Sequence, residues 1–581
     1  MISILTGARR TPSAWRSRGI VAAVAATAAL LAGCGSGGSS SSATSSSGTA
    51  SSSGTTSAAT VTPTGGAAAP ATAGGTITIG LPAGAIDHLE PTLWYYATTW
   101  EIAYATCTPL LTFADTSGPA GVAPISGVAD APSVADGGRL YTFTLKPGLD
   151  FANGAPITGQ AIKYTFDRML SPKLASPASS FFDIIAGAPA VIAGKATTVS
   201  GITATTRTVS FRLTAPVASF LYRMTLPFTC PVPIGTALKP LENGTALLTG
   251  PYIVKSYTPE RSIVLVRNPH WNAAALGKRQ VADQIDIQLG VDDSQAAPLI
   301  QSGQLATYAA PVAPTDALQA LTNPTLKGRV FVNPLPATTY LWLNNSVAPL
   351  NNVKVRQAIN YAINRLEIQR VWGGPTQAAV TDQVLPPTMP GFVKAAIYPV
   401  AGDLAKARAL MKAAGVTTPV SLTLRTLSDQ PGYAQAAQVI QSDLAPIGIK
   451  VNIVTQPDAV NGGVIGSPKN HVPMGINTWT QDYPYPDDFF GELLDGANIT
   501  PTGNNNYADF DNPAITRQIT ALETKATSAQ WNALDREIIG GYAPWAPLLN
   551  PTRVTLFAGG ICGAIVQPVY LVDFATLGHC S

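Results

Sequence analysis

Residues 141–170 read YTFTLKPGLDFANGAPITGQAIKYTFDRML, and this stretch predicts a strand, a turn and a helix in immediate succession. Residues 140–145 alternate apolar and polar side chains, which is the period of a strand. Lys146-Pro147-Gly148 is a turn signal, because proline and glycine both interrupt regular structure. Residues 159–170 then follow a helical pattern. The stretch therefore predicts a helix connected to a strand by a short turn.

The same alternation continues on both sides of this stretch. Strand patterns occur at residues 76–81 and 263–267, and one long helical pattern covers residues 353–371. Further along, helix, strand, helix and strand follow one another at residues 403–414, 420–425, 433–444 and 448–454, the first helix being ended by Gly415. This order is typical of a mixed sheet covered by helices, so we expect an α/β fold.

Residues 1–33 resemble a bacterial export signal that ends at a lipid-modified cysteine. Four arginines between residues 9 and 18 precede an uncharged apolar run of 12 residues, 20–31. That run fits a signal peptide and is too short to span a bilayer, which needs roughly 20 residues. Leu-Ala-Gly-Cys at residues 31–34 resembles a lipobox, in which Cys34 carries the lipid. An ordinary secretory signal with a coincidental cysteine is the alternative.

Residues 34–75 are expected to be the lipidated cysteine and a flexible tether. Residues 35–75 consist almost entirely of Ser, Thr, Gly and Ala and carry no charge, so they cannot bury enough apolar surface to fold. A random chain of this length spans roughly 35 Å root-mean-square. We therefore expect a globular part at residues 76–581, held to the outer face of a bacterial cell membrane.

The globular part is nearly neutral and long enough for two or more domains. The chain has 36 basic and 33 acidic residues, and removing the four signal arginines leaves 32 basic against 33 acidic residues. This balance gives no reason to expect nucleic acid as a partner. No segment after the signal contains 18 consecutive apolar residues, so the sequence predicts no later membrane span.

The cysteines predict two disulfides. With Cys34 assigned to the lipid, four remain, and an even number in an oxidising compartment favours pairing. Three pairings are possible. We favour Cys562 with Cys580, which are close in sequence, and by elimination Cys107 with Cys230. Free buried thiols are the alternative.

Catalytic and metal-binding signatures are missing from residues 76–581. The sequence there contains no G-x-S-x-G, H-E-x-x-H, P-loop or C-x-x-C pattern, and its four histidines are far apart. We therefore expect a binding protein without a cofactor or a metal rather than an enzyme. A secreted hydrolase is the less favoured alternative.

Six segments resemble, in order and spacing, the peptide and nickel class of solute-binding proteins that serve ABC importers, known as family 5. Glu90 replaces a usual Asp, Gly159-Gln160 replaces a usual charged helix start, and Asn364 replaces another Asp. The segments are 76–91 (ending GLPAGAIDHLEP), 141–170, 250–271 (GPYIVKSYTPERSIVLVRNPHW), 353–365 (VKVRQAINYAINR), 435–453 and 479–487 (WTQDYPYPD).

The resemblance implies a two-lobed α/β fold of the periplasmic-binding-protein type II, with an extra subdomain and a ligand cleft between the lobes. The implied boundaries are lobe I at 76–274, its subdomain at about 116–235, lobe II at 275–545, and a return to lobe I at 546–581. The family encloses its ligand by hinge closure and delivers it to a membrane permease. We expect a monomer that works with ABC permease subunits.

The resemblance also implies a ligand-binding residue, Asp482. In peptide-binding relatives this Asp meets the α-amine of the peptide, and a buried ammonium does require a compensating charge. Trp479 is expected to supply an apolar wall or a cation–π face. A turn Asp that caps its own loop, and a Trp that merely fills the core, are the alternatives.

The aromatic run Trp94, Tyr95 and Tyr96 is the second candidate for the cleft. It follows the first strand, and tyrosine combines apolar area with a hydroxyl. Packing under the first helix is the alternative. Asn344, at the end of a strand, is a lower-ranked candidate that would bond the ligand backbone or form a turn.

The favoured function is therefore an extracytoplasmic lipoprotein that captures peptides for an importer. The same fold could instead bind an oligosaccharide, a nickel complex or another small solute. A solute-binding surface receptor that serves no importer is a further alternative.

Overall fold

The computed structural model describes residues 69–241 and 247–581. The predicted signal, Cys34 and most of the predicted tether fall in residues 1–68 and lie outside the described residues. Across the described ranges, no helix has the length and apolar character needed to cross a bilayer.

The described residues form both strands and helices throughout. The strands are β1 (Thr76–Leu81), β2 (Leu111–Thr112), β3 (Ile125–Ser126), β4 (Ser133–Ala135), β5 (Leu140–Thr144), β6 (Ile202–Ala204), β7 (Thr208–Arg212), β8 (Tyr252–Thr258), β9 (Ser262–Arg267), β10 (Gln284–Leu289), β11 (Thr307–Tyr308), β12 (Val330–Pro334), β13 (Ala337–Leu343), β14 (Ala378–Val380), β15 (Val420–Leu427), β16 (Ile449–Gln456), β17 (Met474–Thr480), β18 (Trp545–Leu556), β19 (Ile561–Cys562), β20 (Val566–Gln567), β21 (Leu571–Val572) and β22 (Gly578–His579). The α-helices are α1 (Ala97–Thr106), α2 (Gly159–Met169), α3 (Ser179–Phe182), α4 (Ala188–Ile192), α5 (Phe220–Arg223), α6 (Ala273–Leu276), α7 (Asp293–Gln301), α8 (Pro314–Thr322), α9 (Val353–Ala362), α10 (Arg365–Val371), α11 (Leu404–Ala414), α12 (Pro431–Leu444), α13 (Asp458–Ile465), α14 (Asp487–Leu494), α15 (Pro513–Thr524) and α16 (Ser528–Arg536).

Two large sheets organise the chain. The first has the strand order β11-β1-β10-β9-β8, and the second has the order β12-β18-β13-β17-β15-β16, with β14 also paired to β18. The second sheet is mixed, because β13 is antiparallel to β17 whereas β15 is parallel to both β16 and β17. The α/β class expected from the sequence is confirmed.

The 141–170 stretch forms most of β5, the turn after it, and α2. β5 belongs to a smaller, four-stranded sheet ordered β4-β5-β7-β6. Helix α2 begins after Thr158, whose side chain accepts a hydrogen bond from the Ala161 N–H. A Cβ on Gly159 would lie 2.2 Å from the Thr208 carbonyl oxygen, so no larger residue fits there without moving the backbone. Glycine is therefore required at this helix start, because the backbone at Thr208 of the same chain approaches it closely.

The helix predicted across 353–371 is wrong in one respect, because the structure has two helices there. α9 ends at Ala362 and Ile363 is extended, with ψ of 125°. Asn364 then caps α10 by accepting a hydrogen bond from the Glu367 N–H at 3.2 Å. A cap residue offers its side chain to a new helix start, which explains both the break and the use of Asn at this position.

The lobe boundaries expected from the sequence remain a prediction, and strand pairings cross two of them. β10 and β11 pair with β1, so the first sheet continues past residue 274 to Tyr308. β18 belongs to the second sheet, and the C-terminal return to the first sheet begins at Phe557, which packs in the same core as Ile79. At the start of the described residues, the Thr72 N–H donates to the His579 carbonyl oxygen at 2.9 Å.

Both predicted disulfides are present, Cys107–Cys230 and Cys562–Cys580. The first joins the end of α1 to the segment that follows the four-stranded sheet. The second closes the C-terminal region.

Two buried ion pairs connect distant parts of the chain. Glu90 accepts two hydrogen bonds from the Arg168 guanidinium, at 2.6 and 2.9 Å, with both side chains almost completely buried. Glu101 of α1 accepts a hydrogen bond at 2.7 Å from Arg553 of β18. Each pair therefore fixes a residue before or within α1 against an element far away in sequence.

We predict that Glu90→Gln lowers the free energy of unfolding by about 3–5 kcal/mol, because it leaves the Arg168 charge buried without its partner. Denaturant titration measures this change. Asp136→Asn is the control, since it weakens an exposed pairing with Arg139 and Arg212 and should leave the transition close to that of the unmodified protein. Equal transitions for Glu90→Gln and Asp136→Asn would contradict the role given to Glu90.

Candidate functional site

The candidate site is built around residues 479–488, where β17 ends and α14 begins. β13 and β17 are antiparallel, with Ala337 opposite Thr480, and the Gln481 N–H extends this ladder by donating to the Pro336 carbonyl oxygen at 2.9 Å. The chain then turns through Pro484 and Pro486 into α14. The strand ladder and the prolines together limit the conformations open to this loop.

Asp482 contacts Tyr95 from the first segment of the chain. The Tyr95 hydroxyl donates to Asp482 Oδ2 at 3.3 Å, although the two residues are 387 positions apart. Asp482 is only 2% exposed, and its Oδ1 is buried without a hydrogen-bond partner among the described residues. A buried carboxylate oxygen without a donor is costly, so this atom can gain much from a ligand that brings one.

Asp488 is hydrogen-bonded to the backbone of Asp482. Its Oδ2 accepts hydrogen bonds from the Trp479 indole N–H at 3.2 Å and from the Asp482 backbone N–H at 3.0 Å. Its Oδ1 is likewise buried and unpartnered within the described structure. Trp479 therefore orients Asp488 and packs in the core of the second sheet, and its expected contact with a ligand remains a prediction.

Asp487 receives its partners from the two ends of α5. Its Oδ2 accepts a hydrogen bond from the Ser219 hydroxyl at 2.5 Å and one from the Arg223 guanidinium at 3.1 Å. The same guanidinium lies over the Tyr483 ring, 5.4 Å from its centroid. Arg223 thus joins two residues of the loop to α5.

Burial makes this group of carboxyls hard to ionise. Burial and the nearby Glu492 raise the pKa of Asp482 well above its usual range, and burial and Asp482 do the same for the pKa of Asp488. Burial also raises the pKa of Asp487 and of Glu492, against the effect of Arg223. Neighbouring carboxyls in a dry environment cannot all carry charge unless cations accompany them.

The aromatic run divides into residues with different surroundings. Tyr95 is half-buried and stacks on Phe228, with ring centroids 5.9 Å apart. Trp94 is 2% exposed, and its carbonyl oxygen accepts the Trp100 indole N–H, so it packs beside α1. Tyr96 is half-buried and immediately precedes α1. Among the three, Tyr95 contacts Asp482 directly.

Asn344 is not brought to this site. It follows β13 at the end opposite to Ala337, which places it roughly 23 Å from the 479–488 loop at the usual rise of a strand. Its amide donates to Asp509 at 2.9 Å and accepts from the Ser346 N–H and hydroxyl. These are the bonds of a turn, which was the alternative considered for this residue.

Asp487, Asp488, Ser219 and Arg223 were not among the residues expected from the sequence. The two aspartates open a helix, where acidic residues ordinarily complement the helix dipole, so their pattern did not indicate a site. Arg223 and Ser219 carry no motif. Their relation to the loop depends on contacts across about 265 residues of sequence.

The fold thus has two large sheets flanked by helices, and a buried polar cluster to which distant segments contribute. The sequence profile of the bacterial extracellular solute-binding proteins, family 5 (middle region), matches residues 123–501. The chain belongs to this family. The predicted family and fold are therefore confirmed, as is the prediction of a binding protein rather than an enzyme.

Individual relatives agree with this assignment. The chain is 25% identical to the glutathione-binding protein GsiB of Salmonella typhi over 450 residues, covering 76% of this chain and 83% of GsiB. It is 26% identical to the "Probable D,D-dipeptide-binding periplasmic protein DdpA" of Escherichia coli over 431 residues, covering 72% and 77% of the two chains.

Solved structures share the fold. Clavulanic acid biosynthesis oligopeptide binding protein 2 superposes with a TM-score of 0.81 at 23% identity, covering 89% of this chain and 99% of that one. DppA from Helicobacter pylori in complex with the peptide STSA gives a TM-score of 0.70 at 20% identity, covering 87% and 98%.

We predict that Asp488→Asn stabilises the ligand-free protein increasingly as the pH rises above about 4. A folded state that raises a carboxyl pKa binds the proton more tightly than the unfolded chain does. The stability that this proton contributes is complete below the unfolded pKa of about 3.9, and it is lost as the pH rises toward the raised value. Asparagine keeps the acceptor for Trp479 but cannot ionise, so it removes this loss.

Thermal unfolding between pH 4.5 and 8.5 tests this prediction. Within the window, one proton contributes about 1.4 kcal/mol per pH unit. The exposed Asp130→Asn is the matched control and should follow the unmodified protein at every pH. Parallel curves for Asp488→Asn and the unmodified protein would refute the burial argument.

Proposed function

We propose that this chain is the receptor of an ABC importer for peptides with a free amino terminus. Family membership gives the extracytoplasmic binding role. The names of its relatives favour peptide cargo, since they bind glutathione, a D,D-dipeptide or the peptide STSA. In this proposal the filled receptor delivers its peptide to permease subunits in the membrane.

The single observation that carries the proposal is the unpartnered Oδ1 of the buried Asp482. A peptide ammonium offers three N–H donors and a positive charge. It can therefore both satisfy this oxygen and favour the ionised form of the carboxyl. Tyr95, which already donates to Oδ2, would hold the carboxylate while the ligand binds the other oxygen.

The burial of Asp482 further supports a closing receptor. The carboxyl is only 2% exposed, so a ligand reaches it only after the residues around Tyr95 separate from the 479–488 loop. The contacts that then re-form are Tyr95 with Asp482, Ser219 with Asp487, and Arg223 with Asp487. A ligand that touches both sides would favour this closed arrangement over the open one.

We predict that Asp482→Asn weakens binding of a peptide by more than tenfold, which is about 1.4 kcal/mol. Asparagine retains an acceptor for Tyr95 and removes only the charge that pairs with the ammonium. Isothermal titration calorimetry with a peptide ligand and with its N-acetylated form measures the effect. Asp130→Asn serves as the control for an exposed acid.

The losses of binding free energy caused by Asp482→Asn and by N-acetylation of the peptide should not add, because each change removes the same interaction. The N-acetylated peptide should bind the unmodified protein weakly, and Asp482→Asn should weaken it little further. Unchanged affinity of Asp482→Asn for a peptide that the unmodified protein binds would exclude the proposed role.

We further propose that a lipid on Cys34 anchors the protein, with the following uncharged residues as a tether. The lipobox-like Leu-Ala-Gly-Cys at 31–34 supports this proposal. Membrane attachment and ligand capture would then be carried out by separate parts of the chain.

Cys34→Ser should release the protein from the membrane fraction while leaving its affinity for peptide unchanged. Fractionation of cells, followed by calorimetry on the released protein, tests both parts. Retention of Cys34→Ser in the membrane fraction would contradict lipid anchoring. Loss of binding would contradict the separation of tether and receptor.

A further inference from the structure

We propose that the site selects peptides whose first residue carries a second positive charge, such as an N-terminal lysine. The inference rests on the peptide-receptor function proposed above and deepens it by naming the class of peptide. It follows from the number of buried carboxyls around the loop and from polar atoms that the described chain leaves without partners.

The buried carboxyls outnumber the cations that contact them. Asp482, Asp487 and Asp488 are each 2% exposed or less, and Glu492 lies on the same helix as the last two. Among the ion pairs of the described residues, Arg223 is the cation that bonds to this group, and it bonds to Asp487. A single peptide ammonium would therefore compensate one further carboxylate, and ionising another of these carboxyls would require a second cation.

The neutral side chain of Gln481, next to Asp482 in the chain, independently indicates a polar binding position. Gln481 is 4% exposed, and neither its amide nitrogen nor its amide oxygen has a partner within the described structure. Because side chains alternate along a strand, Gln481 continues the face of Trp479, the residue whose indole binds Asp488. A buried amide without any hydrogen bond is costly, so its position indicates a polar group that arrives from outside.

Two linked carboxyls offer unpartnered oxygens to two donors of one ligand residue. Asp482 and Asp488 each present a free Oδ1, and they are joined by the hydrogen bond from the Asp482 N–H to Asp488 Oδ2. The α-amine and the side chain of a first residue branch from the same Cα. One cationic group can therefore bind Asp482 while the other reaches Asp488, with Gln481 accepting a remaining N–H.

Calorimetry with four matched ligands tests the selection: Lys-Ala-Ala, Ala-Ala-Lys, Ala-Ala-Ala and lysine amide. Lys-Ala-Ala should bind at least tenfold more tightly than Ala-Ala-Ala. Ala-Ala-Lys carries the same charge at the other end, so it should not share the gain. Asp488→Asn and Glu492→Gln should each reduce the ratio between Lys-Ala-Ala and Ala-Ala-Ala, whereas the exposed Asp130→Asn should preserve it.

The outcomes separate this inference from the function on which it rests. If all three tripeptides bind within threefold of one another, the receptor function stands and the selection is overturned. If lysine amide binds and no tripeptide does, the recognition of two cations stands and the peptide function fails. If no ligand binds, both are overturned. A ratio unchanged in both Asp488→Asn and Glu492→Gln, each confirmed as folded by thermal unfolding, also overturns the assignment to these carboxyls.

Discussion

The buried pairing of Glu101 with Arg553 is the constraint on which the arrangement of the site depends. Arg553 lies on β18, which pairs with β12, β13 and β14 of the second sheet, and Glu101 lies on α1, which begins directly after Tyr96. Both charges are almost completely buried, so neither tolerates loss of the other. The pair therefore fixes α1 relative to the second sheet, and with it the position from which Tyr95 reaches Asp482.

The local structure of the chain could be predicted from its sequence to a large extent. Strand β1 and helix α11 match their patterns within a residue or two, because alternating and helical periods reflect which face is buried. The break at Asn364 could not be seen, since the apolar spacing continues through it and only the cap bond reveals it. The sheet memberships of β10 and β18 depend on long-range pairing, which periodicity does not encode.

The site was predictable in part. Asp482, Trp479 and Tyr95 could be named singly, the first two through a family resemblance. That Tyr95 bonds to Asp482 could not, because the two lie 387 residues apart and no local pattern links them. Asn344 was named from its place at a strand end, but its side chain forms the bonds of a turn, because a polar residue there suits a turn equally well. The unpartnered atoms of the loop become visible only when every neighbour has been placed.

The antiparallel bridge between Thr72 and His579 has a mechanical consequence. The chain enters the globular part beside the strand by which it ends, and Cys562–Cys580 closes that end covalently. A force applied through the preceding residues is thus borne first by this bridge, by the paired strands β19 and β22, and by the disulfide beside them. This load path does not pass through the strands of the second sheet, so tension on the leading segment is not carried by the strands that position residues 479–488.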